Sequence, residues 1–436
     1  MWRYEVQGNQ DELRVEADFA PGSSDLLHGD SAATPFVRDV AYALGSGWLP
    51  ATAQNGGWTA PCHVAGCRVR YRFELRRAAV TLDDVETVIA SGDGVVAPPS
   101  TWLLRPAEMA GRLRMHVRLD APARFAAGMH ASPDHAPDAF EASTSELDDA
   151  SVAVIGPFVP GVVQSGRARV DVAVSTRGLH LNEADAVAWV RTAVDAIAAY
   201  LGRFPVERTL VIVQAGRPGS PTRGETQGVS GPAVLVRAGD VVTAATTRDD
   251  WVMTHELLHV VLPSLDRDHV WLSEGIPTYV EPIVRARAGL VTPEKLWGDL
   301  IEGLPQGLPE TGDEGLDRTH TWGRTYWGGA LFCLVADVTI RERTSGARSF
   351  DDVVRGLVAT GADVEAEWDV ARLLDVGDQA TGTTVLRDLY RTMALAPGTV
   401  DLPALWSRLG VHASAGAVSF DENAPLAAVR RAITGR

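Results

Sequence analysis

Two histidines four residues apart, with a glutamate directly after the first, constrain this chain more than any other feature: His255-Glu256-Leu257-Leu258-His259. Thr247 and Asp250 supply a T-x-x-D cap ahead of them and Pro263 a stop behind, which predicts a helix over about 248–262. Four helical residues turn the chain through roughly 400°, so both imidazoles stand on one face and Glu256 flanks it. One tetrahedral ion can share two such imidazoles but needs a third donor. Downstream comes Trp271-Leu272-Ser273-Glu274-Gly275, where Glu274, separated from His259 by fourteen residues and at the start of a following helix, completes a His2Glu set with one open position. The competing picture is a pair of partly buried core histidines beside a solvated helix edge. Cap, helix and second segment in order favour a site for one Zn2+ per chain. Glu281, two turns beyond Glu274, is a candidate to orient a ligand histidine from behind, or else an ordinary surface carboxylate.

Charge and cysteine content narrow the function classes. The chain has 436 residues, with 40 basic against 56 acidic side chains and a net charge of −16, the wrong sign for neutralising phosphates. Nucleic acid and anionic membrane surfaces are therefore not expected partners. The longest apolar candidate, residues 150–163, is broken by Pro157 and Pro160, so no membrane span is expected. The first residues, Met1-Trp2-Arg3-Tyr4-Glu5-Val6, lack the apolar core of a signal peptide. A cytoplasmic address is expected for the chain as written, and an exported one if a leader was trimmed. Three cysteines exclude a disulfide-built scaffold and a cysteine-ligated zinc cluster. Cys62 and Cys67 form either a local bridge or two reduced thiols; Cys333 sits in an apolar helical run and reads as core.

Periodicity divides the chain into an α+β, multidomain arrangement. Residues 67–75 and 112–119 alternate with period two, placing Val69, Tyr71, Phe73 and Leu75, then Leu113, Met115, Val117 and Leu119, on single faces. With 167–174, these runs make residues 1–175 an expected antiparallel β domain, in which 120–151, rich in Ala, Asp, Ser and Pro, is an exposed loop. Asn182 can cap a helix over 183–201 whose buried stripe is Ala186, Trp189, Val190, Ala193 and Ile197. Short strands at 209–213 and 233–236 follow, and beyond Arg248 the chain is mainly helical. The division expected is 1–175, 176–360 for the catalytic part, and 361–436 for a helical C-terminal part.

In these residues the chain resembles the gluzincin metallopeptidases, and in particular the glycyl aminopeptidase family, whose second motif has the form W-x-x-E-G. Thr325-Tyr326-Trp327-Gly328-Gly329-Ala330 is similar to that family's Y-x-x-G-A helix, and Arg341 to Asp352 to its R-x-x-x-G-x-x-S-hydrophobic-D-D continuation. The resemblance covers about 248–357. It implies a thermolysin-like catalytic domain and gives Tyr326 the role of stabilising the oxyanion; the alternative is a core aromatic in line with Leu331, Leu334 and Val338. Three departures stand out: the interval between His259 and Glu274 is short, no PDZ domain is present, and G-x-M-E-N is absent. Its place is held by 223–231, whose glycines suit a strand edge along which a peptide can lie. Glu225, Gly228, Val229 and Ser230 are the substrate-binding candidates there. His320 is either near the site or simply exposed.

These features lead to a zinc-dependent metallopeptidase acting on a peptide substrate through activated water, with Glu256 and Tyr326 as catalytic residues. The expected activity is that of an aminopeptidase with small first residues, Glu225 or Glu281 holding the substrate's ammonium. A zinc endopeptidase, an epoxide-opening hydrolase and a non-catalytic peptide-binding protein on the same fold are the alternatives. Oligomeric state stays open.

Overall fold

The structure is a computed structural model describing residues 1–54, 56–107, 111–133, 138–149, 151–414 and 416–435. The chain forms two compact units, Met1–Gln164 with Arg169–Ala188 and Arg208–Ala244, and Ser165–Ala168 with Trp189–Glu207 and Ala245–Arg436.

The first unit is built on β sheets. Its eight-stranded sheet runs His130–Ala131, Ala139–Ser143, Arg112–Leu119, Trp2–Gly8, Leu13–Phe19, Cys67–Phe73, Val37–Leu44, Gly47–Pro50. Period-two alternation sends Tyr4, Val6, Val15, Val69, Tyr71, Phe73, Leu113 and Met115 into one core, each at most 2% exposed. The sheet departs from the antiparallel expectation at one pair, because Trp2–Gly8 runs parallel to Arg112–Leu119. Leu75 leaves the strand and opens the helix Leu75–Leu82, where it stays buried. Two smaller four-stranded sheets complete this core. Cys62 and Cys67 are bridged.

The segment 120–151 corrects the expected loop. Apart from 134–137 and 150, which lie outside the described residues, it carries the strands Arg124–Ala127, His130–Ala131 and Ala139–Ser143. Ala139, Phe140 and Ala142 are buried, and Phe140 packs edge-on against Phe125 at 5.2 Å. Small residues that look loop-like in composition are here what lets the strands pack closely, and Glu141 is buried at low cost because Arg112 and Arg114 pair with it.

A further sheet has the order Val159–Ser165, Ala168–Val174, Arg208–Ala215, Ala233–Ala238, Arg223–Gln227. Ala168–Val174, Arg208–Ala215 and Ala233–Ala238 run parallel, buried at Val170, Val172, Val211, Ile212 and Val234, and Arg223–Gln227 closes the edge antiparallel. The helix Glu183–Leu201 follows its expected bounds; Asn182 Oδ1 accepts from the Asp185 amide at 2.9 Å, and all five stripe residues are buried.

The second unit is mainly helical, with a hairpin of Val411–Ser414 and Ala417–Phe420. Trp271, Trp297, Tyr279, Phe332 and Phe350 are fully buried in it. The 341–352 segment does structural work here: Asp337 accepts from the Tyr279 hydroxyl, Arg341 Nε and the Phe350 amide, each at 2.8 Å, and Asp351 pairs with Arg287. No helix among the described residues is long and apolar enough to cross a membrane.

Candidate metal centre and active site

The motif helix, Val252–Val260, starts four residues later than expected. Asp250 Oδ1 accepts from the Val252 amide at 2.9 Å, so it closes a local turn just ahead of the helix instead of capping from its third position. His255 and His259 remain one turn apart, ring centroids 4.9 Å. Glu274 comes from the helix Val270–Arg287, whose first turn is anchored by Trp271 Nε1 donating to Asp317 Oδ1 at 2.8 Å and by His269 Nδ1 against Asp266 Oδ1 at 2.7 Å.

These helices bring three donor atoms together. His255 Nε2 lies 3.2 Å from His259 Nε2, and each is 3.3 Å from Glu274 Oε2. A tetrahedral ion with bonds of 2.0–2.1 Å has its ligands about 3.3–3.4 Å apart, so the triangle has the size of one face of a zinc site. Among the described residues this is the one cluster of histidine, cysteine and carboxylate groups so arranged. Burial alone would raise the Glu274 carboxyl, but the two histidines outweigh it and hold the carboxylate well below its usual range. Burial disfavours charge on His259, yet Glu274 and then Glu256 raise its pKa. His255 Nδ1 is buried and has no hydrogen-bond partner among the described residues.

Glu256 is 8% exposed on the motif helix. Tyr326 sits in a π-helical turn, Arg324–Gly328, directly before the helix Gly329–Arg343. The turn is pinned by buried Arg324, which pairs with Asp313 at 2.8 Å and donates to the Gly307 carbonyl. Burial first, then the charges of Glu274 and Glu256, push the Tyr326 phenol up to about 12, which places it in the field of both carboxylates. Gly275 and Gly329 let the two helices touch backbone to backbone, which sets the segments carrying Glu274 and Tyr326 side by side.

The other candidates are placed differently. Glu281 is buried and its carboxylate is taken up by Arg285, Nη1 to Oε1 2.9 Å; burial pushes its carboxyl up to about 7. Glu225 lies on the edge strand, paired with Arg237. Ser230 adopts φ +65°, donates its hydroxyl to Glu146 Oε2 at 3.1 Å and accepts from the His130 amide, while the Val229 carbonyl accepts from Ser151. Gly228 accepts from the Gly231 amide in the same turn. His320 is exposed. Two residues escaped the sequence pattern: the ring of Trp251 packs against His255 and that of Trp322 against Tyr326. Both stand four positions before their partners, a spacing visible in the sequence.

No protein-family profile and no curated protein matches this sequence. Solved structures do match. An aminopeptidase N family protein from Idiomarina loihiensis superposes with a TM-score of 0.69 at 13% identity, over 94% of this chain and 78% of that one. A variant M1 zinc metallopeptidase from Deinococcus radiodurans with bound Tyr-Ser-Ala gives 0.51 at 15% identity, over 92% and 94%. The same variant without substrate gives 0.50 at 14%, over 89% and 92%. At these identities the likeness is one of fold: N-terminal β sheets and a helical C-terminal part, as in M1 aminopeptidases. It is drawn with M1 enzymes and does not extend to the glycyl subtype.

Proposed function

We propose that this chain is a zinc-dependent metallopeptidase, with Zn2+ held by His255, His259 and Glu274 and with Glu256 and Tyr326 as its catalytic residues. The observation that carries this is the near-equilateral triangle of donor atoms, 3.2–3.3 Å on each side, in a unit where the charges of Glu274 and Glu256 act on the Tyr326 phenol. Bound zinc supplies Lewis acidity, polarising a carbonyl and acidifying water. Glu256 accepts the proton of the attacking water at its carboxylate and returns it to the leaving amine. Tyr326 keeps its proton at neutral pH and donates a hydrogen bond to the oxygen on which charge develops. The catalytic region is residues 176–360, thermolysin-like in its order of strands followed by two ligand-bearing helices, between 1–175 and 361–436. A nearer likeness to the glycyl aminopeptidases is supported by the sequence of the 326–330 and 341–352 segments alone.

Cleavage next to a free N-terminus is favoured by the fold shared with the M1 aminopeptidases. One observation favours a zinc endopeptidase instead: Glu225 and Glu281, the carboxylates considered for ammonium capture, are paired with Arg237 and Arg285. Digesting one short peptide in free and N-acetylated forms, with cuts located by mass spectrometry, decides. Loss of the first residue from the free form alone is the aminopeptidase result; equal internal cleavage of both is the endopeptidase result. No cleavage by zinc-loaded protein would leave a peptide-binding role.

A further inference from the structure

We propose that Trp251 and Trp322 are specificity-determining contacts, each for a large apolar or aromatic side chain of the peptide near the bond being cut. This rests on the peptidase function above and replaces the expected preference for small first residues. The chain has twelve tryptophans, and the others are buried or half-buried. Among the described residues the exposed aromatic side chains are these two, Trp251 at 49% and Trp322 at 62%. An indole left in water forgoes the apolar burial that makes tryptophan useful in a fold, and an exposed aromatic held against a candidate site residue is suited to ligand contact.

Their placement is specific. The Trp251 ring stands edge-on to His255, centroids 5.2 Å apart at 86°, and the Trp322 ring leans over Tyr326 at 5.6 Å and 34°. Each therefore touches one residue of the candidate site from one helical turn away. A carbonyl oxygen served by the Tyr326 hydroxyl must come within about 2.7–3.1 Å of it. The side chain flanking that carbonyl then falls within reach of the indole held against the same tyrosine. A small residue leaves the indole it meets wet; a phenylalanine or leucine covers it. The occupant is a side chain and not a lipid surface or a second copy, because the two rings are separate single contacts and the chain carries a net charge of −16.

The test is calorimetric binding to zinc-loaded Glu256→Gln protein, which holds substrate without cutting it, using tri-alanine and its three single-phenylalanine variants. At least one phenylalanine peptide is expected to bind about tenfold or more tightly than tri-alanine. In the double variant Trp251→Ala, Trp322→Ala on the same background that ratio falls to near one, while the Trp→Phe pair keeps most of it; zinc content is measured on each protein. Equal binding of all four peptides, or an undiminished ratio in the double alanine variant with zinc retained, overturns the assignment. Failure of the peptidase function is read separately. Zinc-loaded wild-type protein that cuts none of the four peptides removes that function, whereas cleavage without phenylalanine preference removes only the tryptophan contacts.

Discussion

Gly275 and Gly329 press the helix Val270–Arg287 and the helix Gly329–Arg343 together: a Cβ on Gly275 would lie 2.4 Å from the Cα and carbonyl carbon of Gly329, and one on Gly329 2.0 Å from the Trp271 carbonyl oxygen. No side chain fits between them. The glycine of W-L-S-E-G is thus a spacing device next to the proposed ligand Glu274. Gly275→Ala is expected to cost at least about 1–3 kcal/mol of stability and to lower zinc affinity, since the helices must part. Gly298→Ala is the control: its Cβ meets only Val418 Cγ2 at 3.5 Å, within the helix Pro293–Gly303, and should be neutral or stabilising by up to about 1 kcal/mol. Denaturant midpoints of the two variants check this; equal midpoints would mean the contact is not tight.

Tyr326→Phe removes a hydroxyl and leaves the ring that meets Trp322. An oxyanion role predicts kcat lower by about 10² to 10³ with KM nearly unchanged. Because burial and the neighbouring carboxylates push the phenol up to about 12, the wild-type rate should show no limb from this group up to about pH 10. Equal turnover of the two proteins would return Tyr326 to a packing role.

Glu281 gives stability an inverted pH dependence. Burial raises its carboxyl from an ordinary 4.5 to about 7, so the folded state binds this proton more tightly than the unfolded chain. The contribution is full below about pH 4.5 and is lost as pH rises through 7. The stability of wild type minus that of Glu281→Gln should therefore fall between pH 4.5 and 8. A difference that rises over this range would show that the Arg285 pair keeps the carboxylate ionised.

Cys62 and Cys67 are bridged and Cys333 is buried and free. Thiol titration in denaturant without reductant, on protein made in an oxidising compartment, is expected to find one reactive cysteine. Three would contradict the bridge.

The donor set was legible because a four-residue spacing inside a capped helix leaves the two histidines little choice of face, and because Glu274 follows with its own motif. Strands were legible where large apolar residues alternate, as at Val69, Tyr71 and Phe73. The strand Ala139–Ser143 was not, since alanine and serine report burial poorly and the pairing of Glu141 with Arg112 and Arg114 crosses strands. The motif helix starts late because Asp250 serves a local turn, which a spacing rule does not distinguish from a cap. The π-turn carrying Tyr326 depends on buried Arg324 finding Asp313 and the Gly307 carbonyl, contacts with no local signature. Trp251 and Trp322 were passed over because aromatics at helical spacing are ordinarily core.

Zinc content by elemental analysis, after loading and removal of free metal, tests the metal centre most directly. One zinc per chain is expected for wild type and for Glu256→Gln, the latter with hydrolysis down by about 10² to 10⁴, and essentially none for His259→Ala or Glu274→Ala. Full zinc occupancy in either ligand variant, or none in the wild-type chain, would contradict the assignment of His255, His259 and Glu274 as the metal site.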